Sequence, residues 1–257
     1  MKPRFSIITI TFNAENYLEK TILSILNQTY PDFEYLIIDG NSNDGTTDII
    51  RKTEQKIASG DFGLTPDNFH WISEPDKGLY DAMNKGIAMA KGKYIWFINA
   101  GDKIHNPTTL SYINQIIQKQ SNCDIVYGQS LMIDSNDNPL GERHKIAPKQ
   151  LTKKSLLKGL VVCHQSILVK KDIASFYDLR YRIASDYDWV IRVVSSSQQN
   201  TYIDDYLSDF MIAGTSSIHR KQAWKERYLI MKKHFGLFAT LWAHVNIILK
   251  YPFTRKY

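Results

Sequence analysis

The sequence has few cysteines and no long apolar run, and each shortage excludes a class of protein. Its two cysteines, Cys123 and Cys163, form no C-x-x-C pair, so the sequence predicts neither a zinc site nor a disulfide framework. The least polar stretch of the C-terminal region, residues 235–249, contains His244 and Asn246. A membrane-spanning helix needs about 20 apolar residues, so we expect this segment not to cross a bilayer.

The first residues, MKPRFSIITITF, begin with basic side chains but lack a long apolar centre and a small-residue cleavage site. This pattern favours a first β-strand over a signal peptide, and a cytoplasmic protein with reduced thiols. The chain of 257 residues, 43% hydrophobic and 23% charged, can form one large core or one domain with an appendage.

Charge is distributed unevenly along the chain. Residues 220–257 contain nine Lys or Arg and a single acid, Glu226, so this tail has a net charge of +8. The whole chain has a formal net charge of +6. The first 219 residues are therefore mildly acidic. This asymmetry indicates a body that performs the chemistry and a tail that meets a negative partner.

Short apolar runs alternate with amphipathic segments in the first half of the chain. Asn13 is a candidate N-cap of the first helix, and Asn43 or Asp44 of the second. This alternation predicts an α/β fold with a parallel sheet built of βαβ units. The predicted strands are residues 4–11, 33–40, 69–73 and 93–99, and the predicted helices are residues 12–28, 42–57, 79–90 and 107–119.

The pattern changes after residue 124. Residues 124–134 and 139–146 read as two strands joined by the turn SNDN, which predicts a small antiparallel excursion. Further strands are expected at 164–171 and 200–212, with a helix at 185–196, and the pattern is helical and basic from His219 onward. We therefore expect one Rossmann-like domain over residues 1–219 and a basic, aromatic helical tail over residues 220–257.

Polar residues follow each of the first four predicted strands. In open α/β sheets, ligands bind beyond the carboxyl ends of the strands, so this pattern predicts a shared ligand site, with simple helix capping as the alternative. Glycines at positions 40, 78 and 101 would let the backbone approach a ligand closely. The polar residues are Thr9, Thr11, Asn13, Asp39, Asn41, Asn43, Glu74, Asp76, Lys77, Asn99 and Asp102.

Carboxylates gathered at one sheet edge repel each other unless a cation lies between them. Hard Mg²⁺ or Mn²⁺ is the expected ion, because it prefers carboxylate and phosphate oxygen. At Asp102 such a cation would neutralise a diphosphate leaving group.

Three segments then resemble glycosyltransferase family 2, whose members have the GT-A fold. They are SIITITFN, IIDGNSNDGTTDII and SEPDKGLYDAMNKGIAMAKGKYIWFINAGD. The likeness is dense over about residues 4–105 and thinner to about residue 215. It implies an inverting, metal-dependent transfer of one sugar from a nucleotide-diphosphate sugar, with UDP the favoured nucleotide, to a saccharide or lipid-linked saccharide hydroxyl.

The resemblance also assigns roles to the residues at the strand ends. Thr11 and Asp39 would contact the base and ribose, with Asn13 beside them, while Asp76 and the DAMNKG segment containing Asn84 would shape the nucleotide pocket. The family's DxD-type motif is N-A-G-D here, which leaves Asp102 as the metal ligand and Asn99 as its neutral neighbour. His219 is a candidate second ligand, and a surface or core role is its alternative.

The general base implied by the resemblance is Asp186, in the segment RIASDYDWVIRV. Ser185 stands where the family has a Glu. A base needs a carboxylate within reach of the acceptor hydroxyl, and the alternative is that Asp186 only caps a helix. Arg192 could reach a diphosphate, but we favour its pairing with Asp188 at i,i+4. His164 and Gln165 resemble an acceptor-side pair, with a polar strand start equally plausible.

The tail allows two interpretations. Its mixture of aromatic and basic residues is typical of a segment that lies on an anionic membrane surface, where a lipid-linked acceptor would be found. The alternative is a helix that packs on the domain or in a dimer. Nucleic-acid binding is not predicted, because the chain contains no recognised reading module.

Assembly of a bacterial surface polysaccharide is the expected process. Two other enzyme classes fit less well. A nucleotidyltransferase would require a Gly-rich, Arg-bearing loop after the first strand, where this chain has TFNAENY, and a phosphatase would require an acid at Asn41. A catalytically silent nucleotide- or carbohydrate-binding protein remains the main alternative, supported by the missing second acid of N-A-G-D.

Overall fold

A single twisted sheet flanked by helices organises the chain. The computed structural model describes residues 2–120, 123–212 and 220–250. The strands are β1 Phe5–Thr11, β2 Phe33–Asp39, β3 Phe69–Ser73, β4 Tyr94–Phe97, β5 Lys103–Ile104, β6 Ile125–Ile133, β7 Pro139–Glu142, β8 Ile167–Lys170 and β9 Asn200–Met211. The α-helices are α1 Leu18–Leu26, α2 Thr46–Ala58, α3 Leu79–Met89, α4 Thr109–Lys119, α5 Ser185–Ser196, α6 Arg220–Phe235 and α7 Leu237–Lys250.

The sheet has the order β3-β2-β1-β4-β8-β6-β9-β5, with β7 paired to β6. Strands β1 to β4 run parallel, β8 is antiparallel to both β4 and β6, and β9 is parallel to β6. Six of the nine strands therefore point the same way, and only β5, β7 and β8 oppose them. The predicted α/β class with a mostly parallel sheet and a small antiparallel excursion is confirmed.

Side chains alternate between the two faces of β1 and β2 and form two cores. Ile8 and Ile10 pack on one face with Met83 of α3 and Trp189 of α5. Phe5 and Ile7 pack on the opposite face with α1, α2 and α4. Because both faces are covered, these strands are continuous apolar runs, as is typical of parallel sheets.

The predicted caps of α1, α2 and α5 are wrong, and α2 follows Gly45 rather than Asn43 or Asp44. Helix α1 begins at Leu18 behind Tyr17, and Asn13 instead adopts a left-handed turn with φ 49°. Helix α5 follows Ala184 and has no cap from its own side chains, so neither Ser185 nor Asp186 caps it. The carboxylate of Glu226 on α6 accepts hydrogen bonds from the backbone N–H groups of residues 182, 183 and 184 at 2.8–3.0 Å. Glu226 of α6 therefore fixes the segment that leads into α5.

Helix α6 packs on the domain through apolar and ionic contacts. Ile230 and Met231 are buried in the core that contains α3 and α5. The buried carboxylate of Asp188 on α5 accepts from Lys233 at 3.0 Å and His234 at 2.8 Å of α6, and from Arg192 at 2.7 Å. The predicted pairing of Asp188 with Arg192 is confirmed. The first helix of the tail is thus part of the folded body, while the boundary at residue 219 stays a prediction.

Candidate functional site

The ends of β1 and β2 bring Thr11 and Asp39 together, since the two residues are register partners. The buried Asp39 carboxylate accepts hydrogen bonds from the Ser42 backbone N–H at 3.0 Å, the Ser42 hydroxyl at 2.5 Å and the Ser73 hydroxyl at 2.6 Å. Thr11 Oγ1 is buried and has no hydrogen-bond partner. A buried hydroxyl without a partner is costly, so this atom is available to a ligand.

Asn13 and Asp76 line the same strand ends. The Asn13 side-chain oxygen accepts from the Asn43 N–H at 3.0 Å, and Asp76 Oδ1 accepts from the Gly78 N–H at 2.7 Å. A Cβ on Gly40 would lie 2.7 Å from Asp76 Oδ2, so a larger residue here would displace the Asp76 carboxylate. Phe12, 62% exposed, lies beside Gly40 and adds an aromatic surface that the sequence reasoning missed. An apolar residue between two polar strand-end positions was the available signal.

Asn84 is engaged elsewhere. Its side-chain amide donates to the Tyr177 carbonyl at 3.1 Å and its side-chain oxygen accepts from the Tyr177 N–H at 2.7 Å. Asn84 therefore anchors the segment that precedes α5, and its contact with a nucleotide stays a prediction.

Beyond the end of β4, Asp102 is buried against the end of β9. Its Oδ1 accepts from the Met211 N–H at 3.0 Å. Burial raises the pKa of Asp102 to about 7, and hydrogen bonds from Met211 and Gln165 oppose this shift. Gly101, with φ 99°, allows the Met211 side chain to lie directly over it. Asn99 Oδ1 is buried without a partner.

The residues present fit a divalent cation only in part. Within the described ranges, no cluster of three or more His, Cys, Asp or Glu could hold a metal. Asp102 offers one carboxylate, which matches the way Mg²⁺ is held by one or two carboxylates together with substrate phosphates. The other predicted ligand, His219, lies outside the described residues.

A cavity of about 570 Å³ opens beside Asn99 and contains the Asp186 carboxylate. None of Thr11, Asn13, Asp39, Asp76 or Asp102 lines this cavity, which meets the strand ends at Asn99, beyond β4. Its volume lies within the range of small-molecule sites. Among the described residues that line it, Asp186 is the one carboxylate.

Asp186 is held at the start of α5. One of its oxygens accepts from the Tyr187 N–H at 2.8 Å and from the Tyr80 hydroxyl at 3.3 Å. Burial raises the pKa of this carboxyl, and the positive charges of Arg227 and Arg143 oppose that effect. A raised pKa makes the carboxylate a stronger base than an exposed Asp.

Sequence reasoning missed the positive charges at this cavity. Arg143 and His144, which follow β7, and Arg227 of α6 line the cavity, while Lys145 lies close behind them. No local pattern joins positions 143–145 to position 227, because the fold brings them together from distant segments. The basic tail was the available signal, and it was read as a membrane-facing feature.

His164 and Gln165 also line the cavity. His164 Nε2 shares a 2.5 Å hydrogen bond with the Tyr177 hydroxyl, whereas Nδ1 is buried without a partner. Burial lowers the pKa of His164 to about 4, so the ring is neutral near pH 7. His164 and Gln165 thus share a cavity with Asp186, and their acceptor-side role stays a prediction.

Solved structures of glycosyltransferases share this architecture. S. aureus TarS 1-349 superposes with a TM-score of 0.69 over 98% of this chain and 75% of that chain, at 17% identity. A mannosyltransferase from Pyrobaculum calidifontis, in complex with GDP-Man and Mn²⁺, superposes with a TM-score of 0.61 over 98% of this chain and 76% of that chain, at 14% identity. A longer TarS chain is covered over 39% of its length. The molecule therefore has the GT-A fold.

Sequence similarity then gives the family. Residues 6–176 match glycosyl transferase family 2, and the chain belongs to this family. A PGL/p-HBAD biosynthesis glycosyltransferase of Mycobacterium bovis is 32% identical over 197 residues, which cover 76% of this chain and 71% of the relative. An uncharacterized glycosyltransferase of Methanocaldococcus jannaschii is 29% identical over 248 residues, covering 91% of this chain and 82% of the relative. The resemblance found in the sequence is confirmed.

Within the described part of the chain, which includes α6 and α7, no helix is both long enough and apolar enough to cross a bilayer.

Proposed function

We propose that this chain is an inverting glycosyltransferase that moves one sugar from a nucleotide-diphosphate sugar to a hydroxyl of a saccharide acceptor. The observation that supports it most is the position of Asp186, which lies in a cavity that begins at Asn99 beyond the end of β4. The nucleotide residues Thr11 and Asp39 lie at the neighbouring strand ends. Donor and base would thus meet at one crevice.

In this mechanism Asp186 removes the proton from the acceptor hydroxyl, whose oxygen attacks the anomeric carbon from the face opposite the nucleotide. The Tyr80 hydroxyl and Tyr187 N–H orient the carboxylate, and Glu226 fixes the start of α5 beneath it. The neutral His164 and the amide of Asn99 offer uncharged polar atoms to the sugars. The attack displaces the nucleoside diphosphate, and the glycosidic bond forms with inverted configuration.

Asp102, with His219 as a candidate partner, is the residue that would hold Mg²⁺ or Mn²⁺. When bound, the cation supplies neutralisation of the diphosphate charge. Relatives of the same fold bind UDP, UDP-GlcNAc, or GDP-Man with Mn²⁺, which supports a nucleotide-sugar donor here, with UDP the first nucleotide to test.

The test of the base is Asp186→Asn, which keeps the side-chain shape and removes the proton acceptor. We expect transfer to fall by about 10²–10⁴-fold, the usual contribution of general base catalysis, with nucleotide affinity changed less than about twofold. Asp172→Asn, at an exposed carboxylate, is the control. Because the pKa of Asp186 is raised, the acid limb of the wild-type rate should lie above about pH 4. Near-wild-type transfer by Asp186→Asn would assign the base elsewhere.

Thermal shift with UDP, GDP and dTDP, each with and without Mn²⁺, tests the donor site. Stabilisation by one diphosphate that depends on the metal is expected, since a ligand that binds only the folded state raises its stability. If no nucleotide stabilises the protein, the silent carbohydrate-binding alternative replaces the enzyme.

We place the reaction in assembly of a bacterial surface polysaccharide, at the inner face of the plasma membrane. Helix α7 supports this location, because Phe238, Leu241 and Val245 are 88%, 48% and 46% exposed and recur on one helical face. Nearby Lys and Arg would meet anionic headgroups.

Point variants test the membrane role better than a truncation at residue 220, which would also remove the buried Ile230 and Met231. Replacing both Phe238 and Leu241 by Ser should reduce co-sedimentation with phosphatidylglycerol vesicles at low salt. Leu140→Ser, at an exposed Leu of β7, is the control. Equal sedimentation of the double variant and wild type would remove the membrane from this proposal.

A further inference from the structure

The cavity that contains Asp186 holds positive charge that the protein does not neutralise. Two guanidinium groups, Arg143 and Arg227, line it against the single carboxylate of Asp186. Among the residues that the structure describes, neither arginine forms an ion pair within 4.0 Å, and nor does Lys145. Charged groups held near one another without partners are unusual in a folded protein, because each is costly to desolvate.

Geometry places the third cation beside the first. Arg143 Nη2 donates to the Leu160 carbonyl at 3.4 Å, and Lys145 Nζ lies 2.6 Å from the point where a Cβ on Gly159 would sit. The guanidinium and the ammonium therefore converge on the same backbone segment, residues 159–160. Gly159, with φ 96°, leaves the space that the ammonium occupies.

The charges are close enough to repel one another. Burial lowers the pKa of Lys145 to about 8, with the charges of Arg227 and Arg143 adding to the effect. The pKa of His144 is lowered by burial, and then by Lys145, Arg143 and Arg227. A bound anion would relieve this repulsion.

Some polar atoms in the wall of the cavity also lack hydrogen-bond partners among the described residues. Three of its lining residues carry a buried polar atom that has no partner within residues 2–120, 123–212 and 220–250: Asn99 Oδ1, Arg143 Nη1 and His164 Nδ1. Buried polar atoms are nearly always satisfied in native proteins, so three orphans around one cavity point to a polar ligand. Trp224 contributes a half-exposed aromatic face at the same cavity, suited to the apolar face of a sugar ring.

The lining of the cavity favours the acceptor over the nucleotide as the source of such an anion. The cavity excludes Thr11, Asp39 and Asp102, where the nucleotide and its diphosphate are proposed to lie, and it includes Asp186, the proposed base. A ligand group bound by the cations lies beside the hydroxyl that Asp186 would deprotonate. Two guanidiniums and an ammonium suit the several oxygens and the double charge of a phosphate.

We infer that Arg143, Lys145 and Arg227 bind a phosphate group of the acceptor, next to the hydroxyl that receives the sugar. The assignment of the phosphate to the acceptor rests on the proposed function. The binding of phosphate to this site can be tested without any sugar transfer. A sugar linked through phosphate to a lipid, or a polymer with phosphate in its repeat, has the required chemistry.

Binding of two matched probes tests the site in the full-length protein. α-D-Glucose 1-phosphate carries the phosphate, and methyl α-D-glucoside is the same ring without it. Thermal shift and calorimetric titration are run at constant ionic strength, with and without the nucleoside diphosphate that stabilises the protein. We expect glucose 1-phosphate to bind and methyl glucoside to give no response, because only the former offers charge to the cations.

Arg143→Gln and Arg227→Gln should each weaken glucose 1-phosphate binding by about tenfold or more, as expected when one charge-assisted contact is lost. Lys221→Gln, an equal charge change at an exposed position of α6, is the control and should bind like wild type. Arg227→Lys should restore part of the affinity. The melting temperatures of the free Gln variants should not fall, since each removes a repelled charge, and this separates lost binding from lost folding.

Three results would overturn the inference. Equal responses to the phosphate and neutral probes, or none to either, would show that the cations bind no phosphate. Glucuronate binding as tightly as glucose 1-phosphate would assign the site to a carboxylate sugar. If the Gln variants weaken the nucleotide instead of glucose 1-phosphate, the cations serve the donor. Failure of the proposed function is a different result, in which no nucleotide binds or Asp186→Asn still transfers.

Discussion

The nucleotide end and the acceptor end of the crevice differ in how their polar groups are paired. At the ends of β1 and β2, Asp39, Asp76 and Asn13 already have hydrogen-bond partners within the chain, and Thr11 Oγ1 is the orphaned atom there. The cavity at Asp186 instead combines unpaired cations with three orphaned polar atoms. The polar side chains at the nucleotide end are held mostly by hydrogen bonds within the protein. The cations at the acceptor end have no ion-pair partner among the described residues, so a ligand could supply the opposite charge. Affinity at the second end should therefore depend on the charge of the ligand.

The largest expected effect comes from removing the ionic cluster around Asp188, which joins α5 to α6 at the acceptor end. Asp188→Asn leaves Arg192, Lys233 and His234 without their shared carboxylate, and we expect the free energy of unfolding to fall by roughly 3 kcal/mol at pH 7, discounted for the partial exposure of the partners. Urea denaturation measures it, with Asp172→Asn as the control. A loss near zero would show that this ionic cluster does not hold α6 on the domain.

The same carboxylate sets a pH dependence. Burial alone would raise the pKa of Asp188, but hydrogen bonds from His234, Arg192 and Lys233 outweigh it and hold the pKa well below its usual range. A depressed folded-state pKa gives stability that is present above the unfolded value of about 3.9 and lost as the pH falls below it. The difference between wild type and Asp188→Asn should therefore shrink below about pH 4.

A middle-sized effect is expected from Glu226→Gln. The carboxylate accepts hydrogen bonds from three backbone N–H groups just before α5. In the Gln variant the side-chain NH₂ group would face some of these N–H groups, and two donors cannot form a hydrogen bond. We expect a loss of roughly 1–3 kcal/mol in stability, together with a fall in kcat that exceeds any change in the nucleotide KM, because Asp186 is displaced. Lys225→Gln on the same helix is the control. A proportional rise in both KM values with kcat intact would rule out this positioning role.

The smallest effect on stability is expected at the nucleotide end, where Thr11 and Thr9 differ in whether their hydroxyl groups have hydrogen-bond partners. Thr11→Val replaces an orphaned hydroxyl with a methyl, so stability should be unchanged or rise by up to about 1 kcal/mol, while nucleotide affinity falls several-fold. Thr9→Val is the matched variant on the same strand. Thr9 Oγ1 donates to the Ile98 carbonyl and accepts from the Tyr35 hydroxyl, so its loss should lower stability and leave the nucleotide bound. Equal destabilisation by both variants would mean that Thr11 has a partner of its own.

The sequence was sufficient for the elements whose signals are local. Strands β1, β2 and β4 are mostly apolar runs whose residues are all buried, and the polar residues at the strand ends predict the crevice. The sequence also predicts helix α5 at residues 185–196, but not the support of the segment before it, because Glu226 lies about forty residues further along the chain. The cations at 143–145 and 227 could not be joined for the same reason: their encounter depends on the packing of α6.

Two adjacent residues of helix α6, Glu226 and Arg227, have different roles. Glu226 secures the backbone under the base, and Arg227 faces the cavity. A homologue that changes its acceptor by remodelling this helix would put turnover at risk, whereas positions 143–145, on the connection after β7, have no such second role here. Divergence in acceptor charge within the family should therefore accumulate on the connection after β7 before it reaches α6.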